Sequence, residues 1–218
     1  GFLTGAGIFT VNATYNWQGG TMSGTGSTNI AAGATLNLTT SVNHGLDGRS
    51  LNNAGTTTLS ETGGLVLQNQ GVFNNLAGGV FLAQSDADIA GGTFNNAGLW
   101  RKTAAGDTRF ESAVFNNSGM VEVQFGTLTL NGGGASGSSF SVNNAATLAF
   151  NNNYTLNTGA ALNGAGVYQL TGGTLNVAGS SACNATFIHN GGTLGGAGTF
   201  TANNVYNWQS GVMSGSGV

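Results

Sequence analysis

The sequence is poor in charge. Only 5% of its 218 residues are Asp, Glu, Lys or Arg, whereas about a quarter of the residues in an ordinary globular protein are charged. The net charge of −3 provides no basic surface for nucleic acid or for an anionic membrane. We therefore expect no nucleic-acid partner.

The chain also contains no proline and a single cysteine, Cys183. One cysteine cannot form a disulfide within the chain, so stability has to come from backbone pairing and packing. The absence of proline suits a structure in which every backbone N–H is needed as a donor. No apolar run reaches transmembrane length, and residues 1–4 do not resemble a signal peptide. If the protein is secreted, we expect its signal to lie outside this segment.

Glycine is abundant, with 40 residues, but the chain does not have the composition of a disordered linker. Hydrophobic residues make up 39% and aromatic residues 9%, and they recur at fixed spacings. Such regularity indicates a repeat protein.

A long repeat joins the two ends of the sequence. Residues 1–27 and 192–218 are identical at 17 of 27 positions without a gap. We interpret residues 1–218 as one continuous domain that holds one tandem unit, 1–191, and the start of the next, 192–218. The segment is therefore expected to be part of a longer array.

A shorter repeat lies within the long one. The motif Phe-Asn-Asn begins at positions 73, 94 and 115, which are evenly spaced, and segments such as residues 127–130 alternate as β-strands do. This pattern predicts an all-β fold, a parallel β-helix (β-solenoid) with coils of about 20–22 residues and about nine coils per long unit. Because coils stack at about 4.8 Å, residues one period apart lie above one another. The predicted structural stack consists of Phe73, Phe94 and Phe115 in the interior and of amide ladders that include Asn74, Asn95 and Asn116.

The charged residues follow the same spacing. All of them lie within positions 47–122, and a step of one short period places Asp88 beside Arg109 and Arg101 beside Glu122. Opposite charges on adjacent coils are a check on the register. They contribute at most about 1 kcal/mol each when exposed.

One charged cluster allows two interpretations. Asp86, Asp88, Asp107, Arg109 and Glu111 would stack as carboxylates with a cation do in polysaccharide-degrading β-helices. The alternative is a solvated, salt-bridged patch in which Asp86 over Asp107 is an unfavourable neighbour that Arg109 offsets. We favour the patch and predict no catalytic residue.

Two aromatic pairs recur with the long repeat. Tyr15 and Trp17 are separated by one residue and therefore share a strand face, and Tyr206 and Trp208 repeat the arrangement. Core packing is one interpretation. Exposed pairs would instead contact a neighbouring chain or stack on sugar rings.

Metal and cofactor sites are not indicated. His44 and His189 lie far apart in the sequence without a second ligand nearby. Cys183 is interpreted as a small buried residue. We expect no cofactor, no metal and no enzymatic activity.

The recurring Leu/Phe-Asn-Asn and Gly-Ala-Gly motifs, in coils of about 20 residues, resemble those of the passenger regions of filamentous-haemagglutinin-like and autotransporter adhesins of bacteria. The resemblance implies a right-handed parallel β-helix, exported across the outer membrane, that serves as a stalk, adhesin or surface layer. We therefore expect an extracellular or cell-surface structural protein that forms a filament, sheath or adhesin stalk. Its expected partner is itself, end to end or laterally, or else a polysaccharide or a host or cell surface. The alternative is a polysaccharide-binding or polysaccharide-degrading β-helix.

Overall fold

The computed structural model describes residues 1–217, which form short β-strands joined by tight corners, with no helix among them. Within these residues there is accordingly no helix that could span a membrane.

Thirty strands follow one another, and most of them are short. They are β1 (Phe2–Leu3), β2 (Ile8–Val11), β3 (Thr14–Trp17), β4 (Gly20–Ser23), β5 (Ser27–Ile30), β6 (Thr35–Leu38), β7 (His44–Asp47), β8 (Ser50–Asn53), β9 (Thr56–Leu59), β10 (Leu65–Gln68), β11 (Val72–Asn75), β12 (Val80–Ala83), β13 (Ile89–Ala90), β14 (Thr93–Asn96), β15 (Leu99–Lys102), β16 (Asp107–Glu111), β17 (Val114–Asn117), β18 (Met120–Val123), β19 (Thr127–Leu130), β20 (Gly134–Ser136), β21 (Ser139–Val142), β22 (Thr147–Phe150), β23 (Tyr154–Leu156), β24 (Ala161–Gly164), β25 (Val167–Leu170), β26 (Thr174–Val177), β27 (Ser181–Cys183), β28 (Thr186–Gly195), β29 (Phe200–Ala202) and β30 (Tyr206–Ser214).

Strands that are three apart in the chain pair in parallel, so three strands make one coil with three faces. The first face starts at β1, the second at β2 and the third at β3. The long strands β28 and β30 each turn a corner and contribute to both the first and the second face. The third face alone contains ten strands, from β3 to β29. The predicted all-β solenoid is confirmed, with about ten coils.

Coil length varies more than the sequence repeat indicates. On the third face Val80 pairs with Leu99 in the following coil, but it pairs with the more distant Thr56 in the preceding coil. The strands of each face stay aligned, so the additional residues of the longer coils lie in the corners. In the middle of the second face the spacing is the predicted one, with Phe73 beside Phe94 and Phe94 beside Phe115.

Strand alternation divides each coil into an interior and an exterior. In β11, for example, Phe73 and Asn75 are buried whereas Val72 and Asn74 are half-buried on the outside. Successive residues of a strand point to opposite sides of the sheet. The buried side chains of all three faces therefore form one continuous core along the axis.

Glycine is required where corners stack closely. At the corner between the second and third faces, a Cβ on Gly119 would collide with the carbonyl oxygen of Gly98, and one on Gly98 would collide with that of Gly79. No side chain fits such a contact. This explains why a glycine follows soon after the Asn-Asn pair in these coils.

The two copies of the long repeat lie on different faces. Met22 is on the first face beside Leu46, whereas its counterpart Met213 is on the second face beside Leu194. The second copy begins at the second part of β28. Before that point the chain forms β1 to β27 and the first part of β28. The long unit therefore spans nine coils and one further strand, and the second copy starts one face further on.

Local pairing is nevertheless the same in both copies. Leu3 lies beside Met22, and the equivalent residues Leu194 and Met213 also lie beside each other. The repeated sequence thus encodes the pairing between adjacent coils and does not encode a particular face.

Candidate functional site

The phenylalanines of the short repeat form a column inside the solenoid. Phe73 and Phe94 stack with ring centroids 4.7 Å apart and an interplanar angle of 8°, and Phe94 and Phe115 are tilted at 5.9 Å. All three side chains are completely buried. Phe81 meets Phe73 edge-on from the third face, at 5.3 Å. The column therefore joins two faces as well as successive coils.

The first asparagine of each pair belongs to an outer amide ladder. Asn74 Nδ2 donates to Asn52 Oδ1 at 2.8 Å, Asn95 donates to Asn74 at 2.9 Å, and Asn116 donates to Asn95 at 3.0 Å. Each amide is half-buried on the outside of the second face. In this ladder every side chain donates towards the preceding coil.

The second asparagine of each pair forms an inner ladder, which is buried. Asn75 Nδ2 donates to Asn96 Oδ1 and Asn96 Nδ2 donates to Asn117 Oδ1, both at 2.8 Å. Each of these two amides also donates to the backbone carbonyl of the first residue of the third-face strand in the following coil, Leu99 in β15 or Met120 in β18. Donation runs towards the following coil, opposite to the outer ladder.

The ends of the inner ladder follow from this direction. Asn117 Nδ2 donates to the hydroxyl of Ser136, which ends the series. At the other end, Asn53 Oδ1 has no partner within residues 1–217, because Ile30 occupies the position in the preceding coil. The sequence predicted amide ladders. It did not show that the first asparagine of each pair lies on the outside of the second face and the second asparagine in the interior.

The repeated aromatic pairs point into the interior. Trp17 is only 3% exposed, and its ring meets His44 edge-on at 5.2 Å. Tyr206 stacks on Phe187 at 5.5 Å, and Trp208 lies beside the buried His189 in the first-face ladder. Trp208 is 54% exposed because it lies in the last coil of residues 1–217, where no following coil covers it. This placement favours core packing over sugar stacking.

Tyr15, the fourth of these residues, is half-buried in the first coil and meets Phe9 edge-on at 5.5 Å. Tyr206 is also half-buried, and its hydroxyl lies 2.9 Å from His189 Nδ1. Burial raises the pKa of Tyr206 to about 12, so the hydroxyl stays protonated at neutral pH.

The charged residues form pairs on two separate faces. Arg101 Nε lies 2.6 Å from Glu122 Oε2 across adjacent coils, in the predicted register. Arg109 Nε lies 2.9 Å from Asp107 Oδ2 on the same strand, and the backbone N–H of Arg109 donates to Asp88 Oδ1. Burial raises the pKa of Asp88, and the bond to Asp107 raises the pKa of Arg109.

Asp86 and Asp107 have different cationic partners, Lys102 and Arg109. Asp86 lies outside the strands, where its Oδ1 accepts from the backbone N–H of Gly106 at 2.9 Å and lies 3.1 Å from Lys102 Nζ. The ammonium group of the buried Lys102 has only Asp86 and the hydroxyl of Thr108 as partners among residues 1–217. The five-residue cluster is therefore divided, which favours a salt-bridged patch.

A buried arginine joins the first three coils. Arg49 is 2% exposed, and its Nη1 and Nη2 atoms donate to the carbonyl oxygens of Gly5, Gly7 and Ser27 at 2.7–3.1 Å. Its Nε donates to the hydroxyl of Thr28. Burial lowers the pKa of Arg49. No periodic signal in the sequence marks this role, since Arg49 lies in a corner.

The remaining reactive groups are placed as structural residues. Cys183 is completely buried, its thiol donates to the carbonyl oxygen of Ala185, and burial raises its pKa. A thiol in this setting is a weak nucleophile. No three His, Cys, Asp or Glu residues within residues 1–217 are grouped so that they could hold a metal ion.

His44 is buried with one unsatisfied nitrogen. Its Nε2 lies 2.8 Å from the carbonyl oxygen of Trp17, which can only accept, so Nε2 carries the hydrogen. Its Nδ1 has no partner in the described part of the chain. Burial lowers the pKa of His44, which disfavours the charged imidazolium.

Comparison with known proteins gives no match. No family model, no curated protein and no solved structure matches this chain. The interpretation of function therefore depends on the geometry described above.

The inner and outer ladders predict different costs for neighbouring substitutions. Asn96→Ala would leave buried donors and acceptors of Asn75, Asn117 and Met120 unpaired, so we expect a loss of at least about 2 kcal/mol in the free energy of unfolding. Asn95→Ala, the matched control, exposes its ladder partners to water and should cost less than about 1 kcal/mol. Urea unfolding followed by circular dichroism measures both, and equal losses would contradict the assignment of the two ladders.

The low pKa of His44 predicts acid sensitivity. The unfolded chain takes up a proton near pH 6.5, but the folded chain takes it up only at lower pH. Stability is therefore retained above pH 6.5 and lost as the pH falls, by up to about 1.4 kcal/mol per pH unit. His44→Gln should reduce this slope between pH 7 and pH 5.5. Unfolding curves at several pH values measure it, and an unchanged slope in the variant would exclude His44 as the cause.

Proposed function

We propose that this chain is a stiff structural segment of an extracellular or cell-surface protein, in the form of a filament, sheath or adhesin stalk. The main support is the repeat itself: both copies make the same coil-to-coil pairing although they lie on different faces. A repeat with this property can follow another copy without interrupting the stack. Length is then set by the number of units.

Mechanical stiffness follows from the stacking. Parallel ladders run along all three faces, and amide ladders and an aromatic column reinforce the middle coils. Backbone pairing joins each coil to its neighbours along the axis, as in other solenoids, and Arg49 additionally bonds the third coil to the first. Nine coils and one strand at about 4.8 Å per coil give a rise of roughly 45 Å for each long unit.

Surface chemistry supports a passive role. The exterior carries mostly Thr, Ser, Asn and Gly, and Arg109 of the first face is paired with Asp107. Weak charge permits solenoids to pack side by side, since little repulsion opposes contact. Secretion, right-handed winding and a bacterial surface location are part of this proposal through the resemblance to filamentous-haemagglutinin-like passengers.

A polysaccharide-binding role is the second candidate. A shallow groove between the second and third faces is lined by amide side chains that include Asn95, Asn116 and Asn157. Amides are suitable partners for sugar hydroxyls. None of the described residues that line this open groove is charged, so the groove favours binding of a neutral glycan over cleavage.

Electron microscopy of the native protein tests the structural proposal. We expect thin rods or filaments whose length increases by roughly 45 Å for each long unit, because coils add at the strand spacing. Negative-stain images of proteins with different numbers of units measure this increase.

Round particles whose size does not increase with unit number would contradict the proposal. Retention of the native protein on an immobilised neutral polysaccharide would support the second candidate, provided that Asn116→Ala together with Asn157→Ala abolishes it. Retention that these substitutions leave intact would count against the amide groove.

A further inference from the structure

The third face carries an apolar patch on its outer surface. Val80, Leu99 and Met120 lie beside one another on three successive coils, and Leu82 lies next to this row beside Arg101. All four apolar side chains alternate with buried residues, so they point outward. We call these four residues the third-face patch.

The neighbouring coils do not continue the patch. The same outward row carries Thr56 before Val80 and Ser139 after Met120. In the earlier coils it carries Thr14 and Thr35. The third-face patch is thus a local interruption of a polar surface, in which Met120 is exposed and the other three side chains are half-buried. Contiguous apolar side chains on an outer surface commonly mark a contact site.

An ion pair borders the patch and gives it a direction. Arg101 and Glu122 occupy the second outward row, on the coils that carry Leu99 and Met120, and their side chains are 34% and 23% exposed. Positive and negative charge therefore follow one another along the axis. Any partner that covers the patch has to match this order.

A second copy of the chain matches it in one orientation. When two third faces meet with their axes antiparallel, about a two-fold axis between these coils, Leu99 opposes Met120 of the second copy. In the same arrangement Arg101 opposes Glu122, and the contact occurs twice by symmetry. A parallel pair would instead place Arg101 opposite Leu99, which would bury a charge against an apolar side chain.

We propose that the third-face patch is a lateral docking site for a second, antiparallel copy of this chain. The inference rests on the proposed structural function and assigns the contact through which filaments or stalks associate. Apolar contact between Leu99 and Met120, made twice across the two-fold axis, supplies attraction, and the reciprocal ion pairs set the register.

Sedimentation equilibrium of the whole chain tests the apolar contact. Leu99→Thr introduces the residue that occupies positions 35 and 56, so the strand should tolerate it, and we expect self-association to weaken at least tenfold. Val167→Thr, an outward substitution on the first face, is the matched control and should leave the dissociation constant unchanged. Equal dissociation constants for Leu99→Thr and the unmodified chain would overturn the proposal.

Charge exchange between chains tests the orientation. Arg101→Glu and Glu122→Arg each place like charges opposite one another and should each weaken association at least tenfold. An equimolar mixture of the two variants restores opposite charges in both reciprocal contacts, so we expect it to associate as the unmodified chain does. A mixture that stays as weak as each variant alone would overturn the antiparallel contact.

The shape of the chain separates this proposal from the preceding one. Small-angle X-ray scattering reports whether the chain is a rod irrespective of association. A rod-shaped chain that remains monomeric would overturn the docking site and leave the stalk function standing. A compact chain would overturn the stalk function as well.

Discussion

Parallel backbone pairing between adjacent coils is the interaction on which the whole structure depends. Strands as short as these are not stable alone. In this chain each inner strand lies between two others on the same face, so its donors and acceptors are satisfied by the preceding and the following coil. The pairing also places like residues above one another, which explains the asparagine ladders and the phenylalanine column.

The unusual composition follows from this constraint. Proline would remove a donor from the ladder, and a side chain at the stacked corners would collide with the carbonyl oxygen of the adjacent coil, as at Gly119. Charge is scarce because like charges would repeat along the axis at the strand spacing. Six of the charged residues form three ion pairs, such as that of Arg101 with Glu122, and Arg49 is buried against carbonyl oxygens.

Periodicity made much of the fold predictable. The even recurrence of Phe-Asn-Asn located the second face in coils 4 to 6, and the same interval paired Arg101 with Glu122. What the repeat did not encode was missed. Arg49 is buried through bonds to the two preceding coils, and the buried Lys102 is paired with Asp86.

Sequence identity between the two copies of the long repeat also did not predict which face the second copy occupies. Trp17 and Trp208 occupy equivalent sequence positions but lie on the third and the first face. Because coil lengths differ along the solenoid, as the two neighbours of Val80 show, the length of a repeat does not state how many strands it contains. Only the pairing of each strand with its neighbours determines that number.

Distances between spin labels on one outward row test the stacked-coil account most directly. Asn37, Asn163 and Asn203 lie in the second outward row of the third face or at its end, on coils 2, 8 and 10. With Cys183 replaced by alanine, labels at 37 and 163 should lie about 29 Å apart, and labels at 37 and 203 about 38 Å apart, because each coil adds about 4.8 Å. Electron–electron double resonance measures both distances. Values that do not increase with the number of intervening coils would contradict the account.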